Sequence, residues 1–156
     1  MRAAHLFAER STCPRAHVGA VLVANKRIIA HGYNGAPPGM PHCEDVGCEE
    51  LHLDSVMLRR EHGTEFITDD HIYVEGCIRT VHAEANAIAY AARAGVETED
   101  SYMFCTHSPC RKCLELASSA GIVEIIYDKP YRATPFELAS EMGITLVGKE
   151  GIDNVL

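Results

Sequence analysis

Three times in its second half the chain repeats one local pattern: a helical run, a glycine, then a short apolar strand run. Residues 83–94 stop at Gly95 ahead of 101–106, residues 110–120 stop at Gly121 ahead of 122–127, and residues 135–142 stop at Gly143 ahead of 144–148. Glycine just past the last helical position ends a helix because it accepts left-handed backbone without a Cβ clash. Strands joined by such a helix must run parallel with a right-handed crossover, so the last three strands form a parallel set. The first half adds a different element. "VGAVLVANKRIIAHGY", 18–33, holds two β-branched runs separated by Asn25-Lys26, the pattern of a hairpin, behind an amphipathic helix over 2–10. Together these predict an α/β protein of one domain, 1–156: a three-layer α/β/α arrangement around a mixed sheet of about five strands, with helices on both faces.

Between 34 and about 70 the pattern breaks. Gly35, Pro37, Pro38, Gly39 and Pro41 punctuate the stretch, and Cys43 and Cys48 lie inside it. Irregular loops longer than about 12–15 residues are uncommon, so this one is expected to be functional, pinned by a metal, or partly helical around 50–62.

Composition narrows the function. The 156 residues are 47% apolar, yet no segment approaches the length of a membrane span, and Met1 is not followed by the basic-then-apolar run of an export signal. A cytoplasmic, soluble protein is expected. The formal charge of −8 argues against a broad nucleic-acid footprint, which rests on Lys and Arg neutralising phosphates, and favours a small substrate. Seven cysteines and nine histidines without an export signal read as metal ligands and core thiols rather than disulfides. Any one of them alone is most simply a buried thiol or a solvated imidazole; only clusters carry more.

Two clusters do, and each falls at a helix start. "TVHAEANAI" opens the helix at 83, and "SPCRKC" opens the one at 110, with Pro109 where a missing amide proton costs little. The positive end of a helix stabilises thiolates, and Cys110 and Cys113, three apart, share one face of the first turn. His82 would be the third ligand. Three protein ligands leave a zinc ion an open fourth position for water, the catalytic rather than the structural arrangement. Glu84, two residues past His82, then lies near the metal without ligating it, where a carboxylate can take a proton from water and pass it on. The plainer alternative is that Glu84 faces solvent. Cys13, Cys43, Cys48 and Cys77 remain, with Cys105 in a strand as a core thiol. They suggest a second, structural zinc pinning the long loop, for which His42, His52 or His71 could substitute as ligands.

H-x-E joined to P-C-x-x-C is the established signature of the zinc nucleobase deaminases. The chain resembles the cytidine and deoxycytidylate deaminase superfamily, and within it the deoxycytidylate (dCMP) deaminases: "STCPRAHVGAVLV", "GYNGAPPGMPHC", "CIRTVHAEANAI" and "SPCRKC" occur in that family's order. The resemblance implies hydrolytic deamination of dCMP to dUMP and ammonia, supplying precursor for thymidylate. Zinc would be held by His82, Cys110 and Cys113, with Glu84 carrying protons to N3 of the base and then to the departing amine. It further implies that Asn34 and Tyr131 contact the nucleotide, Tyr131 near its phosphate. Gly35, Ala36 and Pro37 would lie near an allosteric triphosphate pocket, and Arg93 at a subunit interface of a homo-oligomer, typically a hexamer, activated by dCTP and inhibited by dTTP. Mg2+ would accompany the triphosphate. Cys13 and Cys43 match positions that hold a second zinc in some members. On the residues alone, Asn34 also reads as a turn residue and Arg93 as a solvated charge at a helix end. Cytidine, tRNA adenosine and guanine deaminases share the zinc constellation, and an inactive, zinc-stabilised nucleotide-binding regulator is the alternative from another class. A regulator has no use for a proton shuttle such as Glu84.

Overall fold

The computed structural model describes residues 1–49, 77–131 and 134–152, together with the backbone pairs 59–60 and 63–64. Helix α1 (Arg2–Ala8) leads into strands β1 (Gly19–Ala24) and β2 (Arg27–Tyr33), followed by a short helix α2 (Cys43–Val46). Asn25 and Lys26 both have positive φ, 50° and 61°, the two-residue turn whose twist matches that of a hairpin. Two-residue strands β3 (Arg59–Arg60) and β4 (Gly63–Thr64) pair with each other. The rest is the expected alternation: α3 (Ala83–Ala94), β5 (Ser101–His107), α4 (Arg111–Ser119), β6 (Ile122–Lys129), α5 (Phe136–Glu141), β7 (Thr145–Gly148) and a last short helix α6 (Lys149–Ile152). Gly95, Gly121 and Gly143 have φ of 67°, 73° and 73°, so each helix stop is the left-handed kind.

The sheet order is β2-β1-β5-β6-β7. The hairpin is antiparallel, β1 pairs antiparallel with β5, and β5, β6 and β7 run parallel. The mixed five-strand sheet is therefore as expected, with two differences of detail. Arg59 and Arg60 are extended rather than helical, because they pair with Thr64 and Gly63; the remainder of the helix expected around 50–62 lies outside the described residues. Helices α2 and α6 were not anticipated, each being a single turn with no room for a periodic pattern.

Two glycines show how the layers form. A Cβ on Gly19 would overlap the Ala4 carbonyl and approach the Ala8 amide, so α1 sits directly on that face of β1. A Cβ on Gly32 would overlap the Ala83 carbonyl and the Ala87 amide, so α3 sits directly on β2. Gly32 pairs with Ala20, the residue after Gly19, and successive residues of a strand face opposite ways. Hence α1 and α3 cover opposite faces. Close approach also explains why α3 is so rich in alanine: Ala83, Ala87 and Ala91, four apart, are all fully buried against the sheet. Ala20, Leu22, Met103 and Cys105 meet them from β1 and β5, with Ile125 of β6 and Leu114 and Ala117 of α4 completing the core. Burying each larger aliphatic side chain stabilises by about 1.5–3 kcal/mol. On the other face, Asp128 of β6 joins His5 of α1 at 2.9 Å and Lys149 of α6 at 3.2 Å. No helix among the described residues is long and apolar enough to cross a membrane.

Candidate metal centre and active site

Because β1 is antiparallel to both β2 and β5, the latter two strands point the same way and their carboxyl ends share one edge of the sheet. Three residues separate the end of β5 there from the start of helix α4. Helix α3 is brought to the same edge by a single antiparallel bridge beyond β2. Gly35 donates to the Val81 carbonyl at 3.2 Å, and Val81 donates back at 2.9 Å. Asn86 adds a hydrogen bond from its amide to the Tyr33 carbonyl at 2.7 Å. His82 and Cys110 are the residues immediately before α3 and α4, both with extended backbone and neither capping its own helix with its side chain.

Their side chains meet instead. His82 Nδ1 lies 3.3 Å from Cys113 Sγ and 3.5 Å from Cys110 Sγ. A tetrahedral zinc with ordinary Zn–N and Zn–S bonds separates such ligand atoms by about 3.6 Å, so the three groups fit that ion as they stand. Glu84 is 4% exposed, in the first turn of α3; the solvent-facing alternative does not hold. Burial pushes its carboxyl above the usual range, opposed by the neighbouring His82 and by hydrogen bonding that includes Cys113. The Cys110 thiol is held well down, to about 4, first by its hydrogen bond with Cys113 and, against the effect of burial, by His82. Cys113 is driven upward by the same hydrogen bond and by burial. A cation bound by both sulfurs would displace the thiol proton that remains between them.

The centre forms part of the wall of a cleft of about 220 Å³. His82, Glu84 and Cys110 line it, along with Asn34, Ser108, Tyr131, Arg15 and His107. Asn34 is buried, and its amide spans the neighbouring segment. Its oxygen accepts from the Val18 amide at 2.8 Å and its nitrogen donates to the Ala16 carbonyl at 2.9 Å, leaving capacity for a further donation into the cleft. Tyr131 is exposed at the cleft; its amide donates to buried Ser108 Oγ at 2.6 Å, and Ser108 also bonds Thr134 Oγ1 at 2.6 Å. Gly35, Ala36 and Pro37 follow Asn34 as the chain leaves β2, outside the cleft lining. Arg93 is exposed in the last turn of α3, at the opposite end from His82.

A second group of thiols gathers nearby. The sulfurs of Cys43, Cys48 and Cys77 all lie within 4.8 Å of one another, with Cys43 and Cys77 3.7 Å apart; two thiolates on one tetrahedral zinc are separated by about 3.8 Å. The Glu49 amide donates to Cys77 Sγ at 3.2 Å. Although burial opposes it, the Cys77 thiol falls to about 7 through hydrogen bonds from Thr80, the Glu49 and Arg79 amides and Cys43. Cys48 is pushed up to about 11 by burial and by Cys13, Cys77 and Cys43. Cys13 is buried beside this group but outside the mutually close three. Of the possible substitutes, His42 precedes α2 with its side chain exposed, and His52 and His71 lie outside the described residues. Cys105 is fully buried, as a core thiol should be.

Sequence reasoning passed over Arg15, His107 and Ser108. Arg15 lies in the quoted "STCPRAHVGAVLV", and the other two directly precede Pro109 at the carboxyl end of a strand, where α/β sheets place their ligands.

A sheet layered by helices, with a three-ligand metal centre and a buried carboxylate at its carboxyl edge, defines a zinc hydrolase of the nucleobase-deaminase type. The cytidine and deoxycytidylate deaminase zinc-binding region matches residues 1–129. The chain is 39% identical over 148 residues to ComE operon protein 2 of Bacillus subtilis (strain 168), covering 94% of this chain and 67% of that protein. It is 32% identical over 147 residues to the deoxycytidylate deaminase of Enterobacteria phage T4, covering 84% of this chain and 76% of the phage enzyme. Among solved structures, the dCMP deaminase of cyanophage S-TIM5 in complex with dCMP and dUMP superposes with a TM-score of 0.69 at 29% identity, over 94% of this chain and 91% of that one. The chain belongs to the cytidine and deoxycytidylate deaminase family.

Proposed function

We propose that the protein deaminates dCMP hydrolytically, giving dUMP and ammonia and thereby supplying precursor for thymidylate. The observation that carries this reading is Glu84, a carboxylate buried beside the His82, Cys110 and Cys113 side chains in a substrate-sized cleft. The named deoxycytidylate deaminases among its relatives support the choice of substrate. Zinc, when bound by those three residues, supplies the Lewis acidity that makes water nucleophilic at neutral pH. The chain's own contribution is proton management. Glu84 takes a proton from the attacking water and gives it to N3, which makes C4 electrophilic; a second transfer to the exocyclic nitrogen lets ammonia leave as the C4 carbonyl forms. Burial raises the Glu84 carboxyl and so brings its proton affinity closer to that of the groups it serves.

The thiols of Cys43, Cys48 and Cys77, with Cys13 nearest to hand as a fourth, are proposed to hold a structural zinc; the spacing of Cys43 and Cys77 supports this. Resemblance alone carries the further proposal of a hexamer regulated by dCTP with Mg2+ and by dTTP through Gly35, Ala36, Pro37 and Arg93.

The test is deamination of dCMP beside deoxycytidine, cytidine and tRNA by zinc-loaded protein, followed for the small substrates by the absorbance change as cytosine becomes uracil. Turnover of dCMP is expected to exceed that of the nucleosides by orders of magnitude, and dCTP to stimulate it. Turnover confined to tRNA or to nucleosides moves the reading elsewhere in the family. Nucleotide binding without turnover identifies a regulator.

A further inference from the structure

We infer that Thr80 is a positioning residue whose hydroxyl carries the state of the Cys43 and Cys77 thiols to the wall of the cleft, so that the thiol cluster governs how tightly nucleotide is held. This rests on the proposed dCMP chemistry and on the proposed structural metal. The geometry starts from residues 77–82, which join one metal-capable group to the other, Cys77 belonging to the first and His82 to the second. Both ends of that segment are fixed. At the Cys77 end the Ile78 amide donates to the Glu49 carbonyl at 2.9 Å, and the Thr80 amide closes a turn on the Cys77 carbonyl at 3.2 Å. At the His82 end Val81 is held by its bridge to Gly35. Thr80 lies between the two, half-buried, and lines the cleft together with Cys77, His82 and Glu84.

Its hydroxyl reaches back to the thiols. Thr80 Oγ1 lies 3.5 Å from Cys43 Sγ and also hydrogen-bonds the Cys77 thiol. The two sulfurs are 3.7 Å apart, so one hydroxyl stands against both. A thiolate that binds a metal has no proton of its own, whereas threonine has one to give, which makes the hydroxyl the donor when the cluster is loaded. Cys43 is buried and lies outside the cleft lining, so a change at Cys43 reaches the nucleotide only through a neighbour. Two lining residues touch it, Cys77 and Thr80, and of these Thr80 adjoins the Val81 bridge. Loss of the hydroxyl frees the turn from the sulfurs, while the bridge and α3 keep His82 and Glu84 in place. Binding suffers and the chemical step does not.

The test compares Thr80→Val, which keeps the branched shape and removes the donor, with Thr80→Ser, which keeps the donor, with Cys43→Ala, and with the Thr80→Val, Cys43→Ala double variant. Elemental analysis and Tm establish that each is folded and holds the catalytic zinc. Thr80→Val is expected to raise KM for dCMP, and the calorimetric Kd for dUMP, about two- to ten-fold, with kcat within about two-fold of wild type. Its thiol-bound zinc should pass to a chromophoric chelator about ten- to a hundred-fold more readily. Thr80→Ser restores both. Cys43→Ala raises the same KM, and the double variant is no worse than the poorer single one. An unchanged KM and Kd in Thr80→Val, or a fall in kcat at constant KM, overturns the inference. So does full multiplication of the two increases, which routes the effect through Cys77. Should Cys43→Ala fail to fold, withdrawing the thiol-bound zinc from wild type must reproduce the Thr80→Val rise and add nothing to Thr80→Val itself, or the inference is wrong. The underlying readings fail separately. Wild type without dCMP turnover removes the substrate assignment, and the dUMP Kd values then decide on Thr80. Wild type with a single zinc per chain removes the structural metal, and the Thr80 and Cys43 variants then decide on the thiols alone.

Discussion

Among the described residues, two groups of three metal-capable side chains lie within one small sheet protein, and although both reach the same cleft, their surroundings differ where the chemistry is decided. His82, Cys110 and Cys113 sit at the starts of two long helices that the sheet holds rigidly, beside a buried carboxylate and open to a cleft. Cys43, Cys48 and Cys77 sit around a single helical turn and its flanking loops, where backbone amides and one another's sulfurs are the neighbours. Both groups have spacings that suit zinc. What separates a reaction centre from a clamp is therefore not the sulfur but the fourth position and the adjacent proton carrier.

The widest gap should appear on removing one ligand from the first group. Cys110→Ala is expected to abolish turnover and to lose the metal of that centre while the thiol group keeps its own, so elemental analysis should read one zinc fewer per chain and not none. Loss of both metals together would show that the groups are one cooperative unit. Glu84→Gln comes next: turnover lower by about 10²–10⁴-fold with zinc and dUMP binding retained. Near-normal turnover in that variant would remove the feature that makes the two groups different. Cys77→Ala should reverse the pattern, acting on stability. Losing a ligand held at about a thousand times its Kd costs about 4 kcal/mol, so the melting temperature should fall by roughly 10 °C with the catalytic metal still present. Cys77 also lines the cleft, so a rise in KM is expected with it.

The smallest effect belongs to a residue outside both groups. Lys149, by hydrogen bond and charge, and His5 hold the Asp128 carboxyl below its usual range, against burial. A depressed carboxyl stabilises the fold above its unfolded pKa of about 3.9, and that contribution is lost as pH falls through the lower folded value. Asp128→Asn should thus cost under about 1 kcal/mol at pH 7, seen as a shift of a few degrees that vanishes in strong acid. A shift that persisted at pH 2 would point to packing rather than charge.

How far such differences can be read without coordinates depends on the distance over which the determining force acts. A helix stop at Gly95 or Gly121, the turn at Asn25-Lys26 and the shared face of Cys110 and Cys113 are contacts within a few residues, and the order of residue types along the chain suffices to specify them. Motif spacing likewise named His82 and Glu84, though it could not say that Glu84 is buried. Asn34 was singled out only by the family resemblance, as a nucleotide contact, and its double hydrogen bond to the 16–18 segment was not legible. The leftover thiols already suggested Cys43, Cys48 and Cys77 as a set, but the set-apart place of Cys13 and the meeting of Arg15 and His107 on one cleft wall had no local signature at all. These juxtapositions follow from β1 running antiparallel to both its neighbours, which carries residues far apart in the chain to one edge of the sheet. That arrangement is fixed by burial of Ala20, Leu22, Met103 and Cys105 against the alanine face of α3, a collective packing free energy that no short window of sequence contains.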